Sequence, residues 1–407
     1  MFFHKDRLVE KFSTSIFLEK RDFFLFLLSV FSIFSISTTF TYLDYLKFSK
    51  FKNDEKILFV ENFYQKGKFS IMKLRSEDGF SFYTSSRNRY RDLSGYTIKA
   101  KVHIGELTFL QYLSGAFLYT SEIRFTEKRK DYRYILKDKI FEMHSDKKIG
   151  ELYSALFLAT PISKDLREDL TRFGINHLAV LSGFHASLLI GLVYFLVLIL
   201  YKRVHQKYFP YRNRNRDILI FSIFIISIYA IFIGSPAPFI RSIGMVTLGF
   251  FLFDRNIFKG FFETLFLIST IMIAFYPNLL FSVGFLFSVS GVFYILLYLK
   301  YFNFSNFWNM IFINFWVFLA MLPIIHLFFP DFYFSQLLSP FLTILFSIFY
   351  PLSLLAHFVG FADIFDEVLL NLFAIRIGEV FQFSVEIEIF LIYIALSLYF
   401  AIFFKRL

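Results

Sequence analysis

Long apolar runs alternate with polar stretches along this chain, and their spacing predicts its elements. Phe23 to Leu43 contains no charged residue, a run long enough to cross about 30 Å of hydrocarbon as a helix. The pattern then shortens to period two in five blocks, KILFVENFYQ, FSIMKLRS, GFSFYTSS, YTIKAKVHI and AFLYTSEIRFTEK, with Gly67, Gly79, Gly95 and Gly115 between or beside them. Such alternation predicts a small antiparallel sheet, closed or nearly so, and five strands fit an OB-type barrel. After Ser145 helical patterning is expected, with Ile149 to Thr160 and Lys164 to Arg172 split by Pro161. Apolar runs follow at 174–201, 218–234, 239–253, 258–276, 279–299, 308–329, 335–360 and 384–404. Together with the first run they make nine segments, and Pro340 and Pro351 interrupt 335–360, so one segment is expected to be re-entrant or double.

Composition agrees with a membrane protein. Hydrophobic residues make up 57% of the 407 and charged residues 18%, against about 25% charged in a soluble domain. There is no Cys, which excludes disulfides and thiolate metal sites. The 65 Phe are in excess, as an AT-rich coding sequence would also produce. The expected fold is therefore a polytopic α-helical membrane protein with an inserted small extracytoplasmic β domain, OB-like. Its parts are a cytoplasmic segment 1–22, a transmembrane anchor 23–43, the β domain 50–145 and a multi-helix membrane domain 149–407.

Charge orients these parts. Lys5, Arg7, Lys11, Lys20 and Arg21 precede the first run, and Lys202, Arg203, Lys207, Arg212, Arg214 and Arg216 fill 202–216 without an acidic residue. Both stretches are expected in the cytoplasm by the positive-inside rule, which leaves the β domain outside. The net charge of +11 is concentrated between Lys47 and Lys148, where 22 Lys and Arg face 13 Asp and Glu. A solvated domain kept out of lipid and a surface that gathers a polyanion both fit this excess. For the second, Tyr83, Tyr90, Tyr96, Arg87, Arg89 and Arg91 are the candidate aromatic and basic surface.

Three apolar stretches carry polar residues that lipid cannot satisfy. In GINHLAVLSGFHASLLIG, residues 174–191, Ser182 and His185 stand at i, i+3, and His177 lies two turns from His185 on a similar face if Ser182 and Gly183 leave the helix unbroken. Asn176 adds an amide, and Gly183 permits close approach or unwinding. Four readings fit: an intramembrane Ser/His hydrolase, a two-His metal site, hydrogen bonding between helices, and the lining of a hydrated path. The first lacks an orienting acid and a GxSxG turn, and the second lacks i, i+4 spacing and a carboxylate, so neither a catalytic residue nor a metal ligand is assigned. In IGSPAPFIRS, residues 233–242, Arg241 is an isolated charge that requires a carbonyl, an acid, a phosphate or a route to the interface. In YPNLLFSVGFLFSVSGVFYILL, residues 276–297, small residues at 282, 284, 288, 290 and 291 suit close helix packing.

In this order, GINHLAVLSGFH, GSPAPFIRS, PNLLFSVGFLFSVSGV and the later LPIIHLFFPDFYFSQLLSP with YPLSLL resemble the competence domain of the ComEC family of bacterial DNA-uptake proteins. Phe184 stands where that pattern usually has Leu, and Ser242 where Ala is common. The resemblance is good over about Gly150 to Leu355 and looser over Phe23 to Ser145. It implies an inner-membrane channel that passes single-stranded DNA into the cytoplasm during natural transformation. Arg241 would touch phosphates, Asn176, His177, Ser182 and His185 would line or gate the path, and Gly183 would permit a helix break. The resemblance also implies a short form without the metallo-β-lactamase-like nuclease domain of longer members, since no HxHxDH occurs, and hence no enzyme and no cofactor. A GxxxxGK[ST] loop is absent, so the motive force is expected from a cytoplasmic ATPase or strand-binding proteins. Other expected partners are membrane lipids, a periplasmic DNA receptor and, in a homodimer, a second copy. An envelope-modifying hydrolase using Ser182 and His185, and a scaffold of the uptake machinery, are the competing readings.

Overall fold

The computed structural model describes residues 20–50, 55–66, 69–77, 79–87, 90, 93–105, 107–128, 132–254, 260–302, 305–375 and 379–403. It consists of one long helix, a small curled sheet and a helical membrane domain, as the apolar runs and alternating blocks require. Helix α1 (Lys20–Lys50) precedes strands β1 (Glu55–Lys66), β2 (Phe69–Ser76), β3 (Ser81–Ser86), β4 (Tyr96–His103) and β5 (Tyr119–Lys128), with the short α2 (Phe109–Ser114) between the last two.

The strands lie in the order β3-β2-β1-β4-β5, antiparallel throughout. A parallel bridge between Tyr83 and Phe117 brings the two edges together, with Tyr83 donating its amide to Ala116 O at 2.9 Å and accepting from Leu118 N at 2.8 Å. The predicted alternation places Leu58, Val60, Met72, Leu74, Phe82, Ile98, Ala100 and Val102 inside, all fully buried. Phe48, near the end of α1, fills the same core. Tyr45 on that helix also donates its hydroxyl to Leu107 O at 2.7 Å. The membrane anchor is thus part of the β-domain core rather than a tether to it.

Helical structure resumes earlier than the sequence suggests, at α3 (Tyr132–Glu142), which packs against α4 (Lys147–Leu158). Then come α5 (Lys164–Arg172), α6 (Asn176–Ala179), α7 (Gly183–Tyr208), α8 (Arg214–Phe232), α9 (Ala237–Asp254), α10 (Phe261–Phe275), α11 (Val283–Tyr301), α12 (Asn306–His326), α13 (Ser339–Val359), α14 (Asp366–Ala374) and α15 (Ile387–Phe403). The largest apolar core joins α4 through α9 with α13 and α14. A second core joins α11, α12 and α15. Outward apolar faces, such as Phe195, Leu196, Ile199 and Leu200 on α7, are exposed, as lipid-facing surfaces are.

One expectation needs correction. The run 174–201 is not one helix: α6 ends at Ala179, Val180 and Ser182 are extended, and α7 starts at Gly183. His177 and His185 therefore do not share a helix face. The sequence makes nine apolar segments, of which the one at 335–360 is expected to be re-entrant or double. Among the described residues seven helices are long and apolar enough to cross, and α10 and α15 are shorter apolar helices. However, β6 (Asp331–Tyr333) before α13 pairs antiparallel with β7 (Val380–Gln382) after α14. Helices α13 and α14 therefore leave and return to one place.

Candidate functional site: a cleft between the β domain and the helices

A cleft of about 2490 Å³ lies beneath the sheet. Its roof is the outer face of the β domain. Alternation sends the even-numbered residues of β2 and β3 into the core, so Lys73, Arg75 and Tyr83 point to the cleft, joined by Ile57 and Phe59 of β1 and Thr97 and Lys99 of β4. Arg133 and Ala159 to Ile162 form one wall, and Thr41 and Asp44 of α1 contribute to another. The floor comprises residues 179–181, 233–238 and 275–282. These segments belong to the three polar-bearing stretches singled out in the sequence, far apart in the chain and brought together here.

The floor is also where α7, α9 and α11 begin. Backbone N–H groups of a helix's first turn lack intrahelical acceptors, and the aligned peptides leave about half a positive charge there. Ser282 satisfies one donor, accepting from Phe285 N at 3.2 Å. At α7, Ser182 and His185 cap the helix together. The His185 Nδ1 lies 3.3 Å from the Ser182 amide, which donates to it, and 3.1 Å from Ser182 Oγ. That local role accounts for the i, i+3 pair, and no carboxylate among the described residues is hydrogen-bonded to His185.

Beneath the floor, α9 is clamped on two sides. A methyl group on Gly183 of α7 would stand 2.7 Å from Ser242 Oγ, and one on Gly284 of α11 would stand 2.9 Å from Arg241 Nη2. Only glycine admits either approach. The Arg241 side chain therefore lies between α9 and α11, about one turn below the cleft, and is 7% exposed. It forms no hydrogen bond or ion pair with any described residue, and its Nε is buried without a partner. His185 is fully buried against Phe346 and Tyr350, and its Nε2 also lacks a partner. Asn176 donates to Thr171 Oγ1 while its Oδ1 is buried and unmatched. Buried polar atoms are matched in nearly all cases, so these three atoms near the floor stand open to a partner, as do others elsewhere in the molecule.

The other sequence candidates separate. His177 is exposed, with Nδ1 donating to Gly174 O at 3.1 Å. None of Asn176, His177, Ser182, Gly183, His185 and Arg241 lines the cleft itself; their chain neighbours do. Of the described β-domain candidates only Tyr83 lines the cleft. Tyr90 packs on the domain core, Tyr96 opens β4 away from the lining, and Arg87 is exposed beyond β3. Arg89 and Arg91 lie outside the described residues. The basic side chains of the sheet that do line the cleft, Lys73, Arg75 and Lys99, were not singled out from the sequence, nor were Arg133 and Arg167 on the helical side. Glu61 pairs with Lys73 at 2.7 Å and with Arg75 at 3.6 Å, and Lys99 has no ion pair among the described residues. Their strand parity was the signal that could have found them.

A polytopic helical membrane protein with a small sheet domain mounted over a basic cleft is the class that this geometry defines. The family model described as competence protein matches residues 159–404, more than half of the chain, and the protein belongs to that family. Membership is consistent with the ComEC-type resemblance and gives the chain a role in DNA uptake during competence. The match starts at Ala159 on the cleft wall and includes every floor segment. No curated protein and no solved structure matches the chain.

Proposed function

We propose that the protein translocates single-stranded DNA across the bacterial inner membrane during natural transformation, with the cleft as the loading vestibule. The observation that carries this reading is Arg241, a buried cation without a partner among the described residues, one turn beneath a floor built from three helix N-termini. An isolated buried charge is prohibitively unstable, whereas a guanidinium matches phosphate in charge and planar geometry. A strand entering the cleft would meet Lys73, Arg75, Lys99 and Tyr83 from above. Phosphates then pass toward the positive ends of α7, α9 and α11, with the Val180–Ser182 break between α6 and α7 as the gate.

In this reading the sheet is an OB-like barrel, which its strand order and edge-to-edge bridge support, and it lies in the periplasm. The basic residues at 202–216 then face the cytoplasm. A periplasmic DNA receptor delivers the substrate, a cytoplasmic ATPase or strand-binding proteins pull it, and a nuclease removes the second strand. Deleting the gene and following labelled duplex DNA tests the reading. Accumulation in the periplasm with no cytoplasmic strand is the expected result, and normal arrival in the cytoplasm would refute it.

A further inference from the structure

Away from the cleft floor, three ionisable side chains from distant parts of the chain form one buried array. His144 lies in the turn between α3 and α4, His357 near the end of α13, and Asp366 opens α14. The His144 Nδ1 stands 3.0 and 2.9 Å from the two Asp366 carboxylate oxygens. Its Nε2 stands 3.1 Å from His357 Nε2. The His357 Nδ1 in turn donates to Ser353 O at 2.7 Å. The side chain of His144 has no exposure and that of Asp366 has 9%.

Hydrogen counting decides the protonation state. A carbonyl only accepts, so His357 Nδ1 carries a hydrogen, and a neutral ring then leaves a lone pair on Nε2. With Asp366 ionised, His144 Nδ1 also carries a hydrogen, and a neutral His144 likewise leaves a lone pair on its Nε2. Two lone pairs facing each other at 3.1 Å would repel, while an N–H···N hydrogen bond fits that separation. The array therefore holds one proton more than two neutral rings and a carboxylate, and its net charge is zero. The same count holds if the proton nearest Asp366 sits on oxygen.

The surroundings favour this state. The Tyr153 ring of α4 stacks on His144 with centroids 4.6 Å apart and planes at 14°, and lies 4.6 Å from His357. An aromatic face stabilises an adjacent cation. Phe157 adds an edge contact to His357 at 4.9 Å. Tyr153, also titratable, completes the ionisable groups packed on the array; its hydroxyl is buried without a partner. Among the described residues no third His, Asp or Glu joins in a metal-binding arrangement.

We propose that Asp366, His144 and His357 form a proton-binding site whose single shared proton latches α13 and α14 to the turn between α3 and α4. Loss of that proton opposes two lone pairs, and gain of another opposes two N–H groups, so the latch is closed only between two pH limits. Helix α4 links the site to the vestibule: Tyr153 touches the latch, and Ala155 and Ala159 line the cleft. Opening the latch frees that wall. The inference does not depend on what the cleft carries.

Nitrogen-15 NMR of the histidine-labelled full chain in lipid tests it directly. The expected result is a nitrogen–nitrogen coupling across the Nε2···Nε2 hydrogen bond, absent in both His144→Gln and His357→Gln. Thermal stability against pH should be bell-shaped, and the bell should be lost in His144→Gln and His357→Gln. Two neutral rings without coupling in the wild-type protein would overturn the proposal, whatever the folding of the variants. So would resonances that shift on chelator treatment, which would identify a bound metal ion in place of the proton.

Discussion

The two ends of α11 each meet a buried cation, and the cations are treated oppositely. Lys300, near the last turn, is 5% exposed, but its Nζ donates to Ala401 O at 2.7 Å and Phe400 O at 3.5 Å. It thereby satisfies carbonyls at the end of α15, with the buried carboxylate of Glu263 attracting it. Arg241, against Gly284 in the first turn, is buried to a similar degree and has no such partner. The contrast separates architecture from function: a cation whose donors are matched within the fold holds helices together. One whose donors are unmatched does not, and on the proposed function it is left for a phosphate.

Substitutions at the two ends sharpen that contrast. Lys300→Met should cost about 3–5 kcal/mol of stability by leaving Glu263 and the α15 carbonyls unmatched, and pairing it with Glu263→Gln should recover part of this. Denaturation of the purified protein in detergent measures both. Arg241→Ala should spare stability, yet reduce transformation frequency about ten- to a hundredfold, the equivalent of one charge-assisted contact of about 1.5–3 kcal/mol. If Arg241→Ala instead unfolds the protein while uptake per folded molecule is unchanged, the contrast fails.

Smaller effects are expected around the same helices. Gly183→Ala should destabilise by about 1–3 kcal/mol through overpacking on Ser242, and Ser242→Gly should relieve it. Failure of that rescue in a thermal melt would show that α7 and α9 do not meet as described. Lys99→Ala, at the cleft roof, should change stability by less than about 0.5 kcal/mol. It should also lower the salt slope of single-strand binding by about 0.7 if one phosphate contact is lost.

Period-two blocks made all five strands legible because one face of each is buried and the other is not, and FSIMKLRS coincides with β2 end to end. Helix α3 was missed because YRYILKDKIFE carries charge on most faces and buries only Tyr134 and Ile140. Arg241 was legible as an isolated charge in an apolar run. Its lack of a partner was not, since that depends on what α11 places opposite it. The convergence of residues 179–181, 233–238 and 275–282 on one floor, and the meeting of His144 with Asp366, are tertiary facts. No local periodicity encodes a contact across 222 positions.

Phe48 gives the vestibule an unusual mechanical character. Because α1 ends inside the core of the curled sheet, a lean of the helix would carry the roof with it. Lean angle in a bilayer responds to hydrocarbon thickness. On the proposed function, a thinner or thicker membrane around α1 would then act as a lever on how far the entrance gapes.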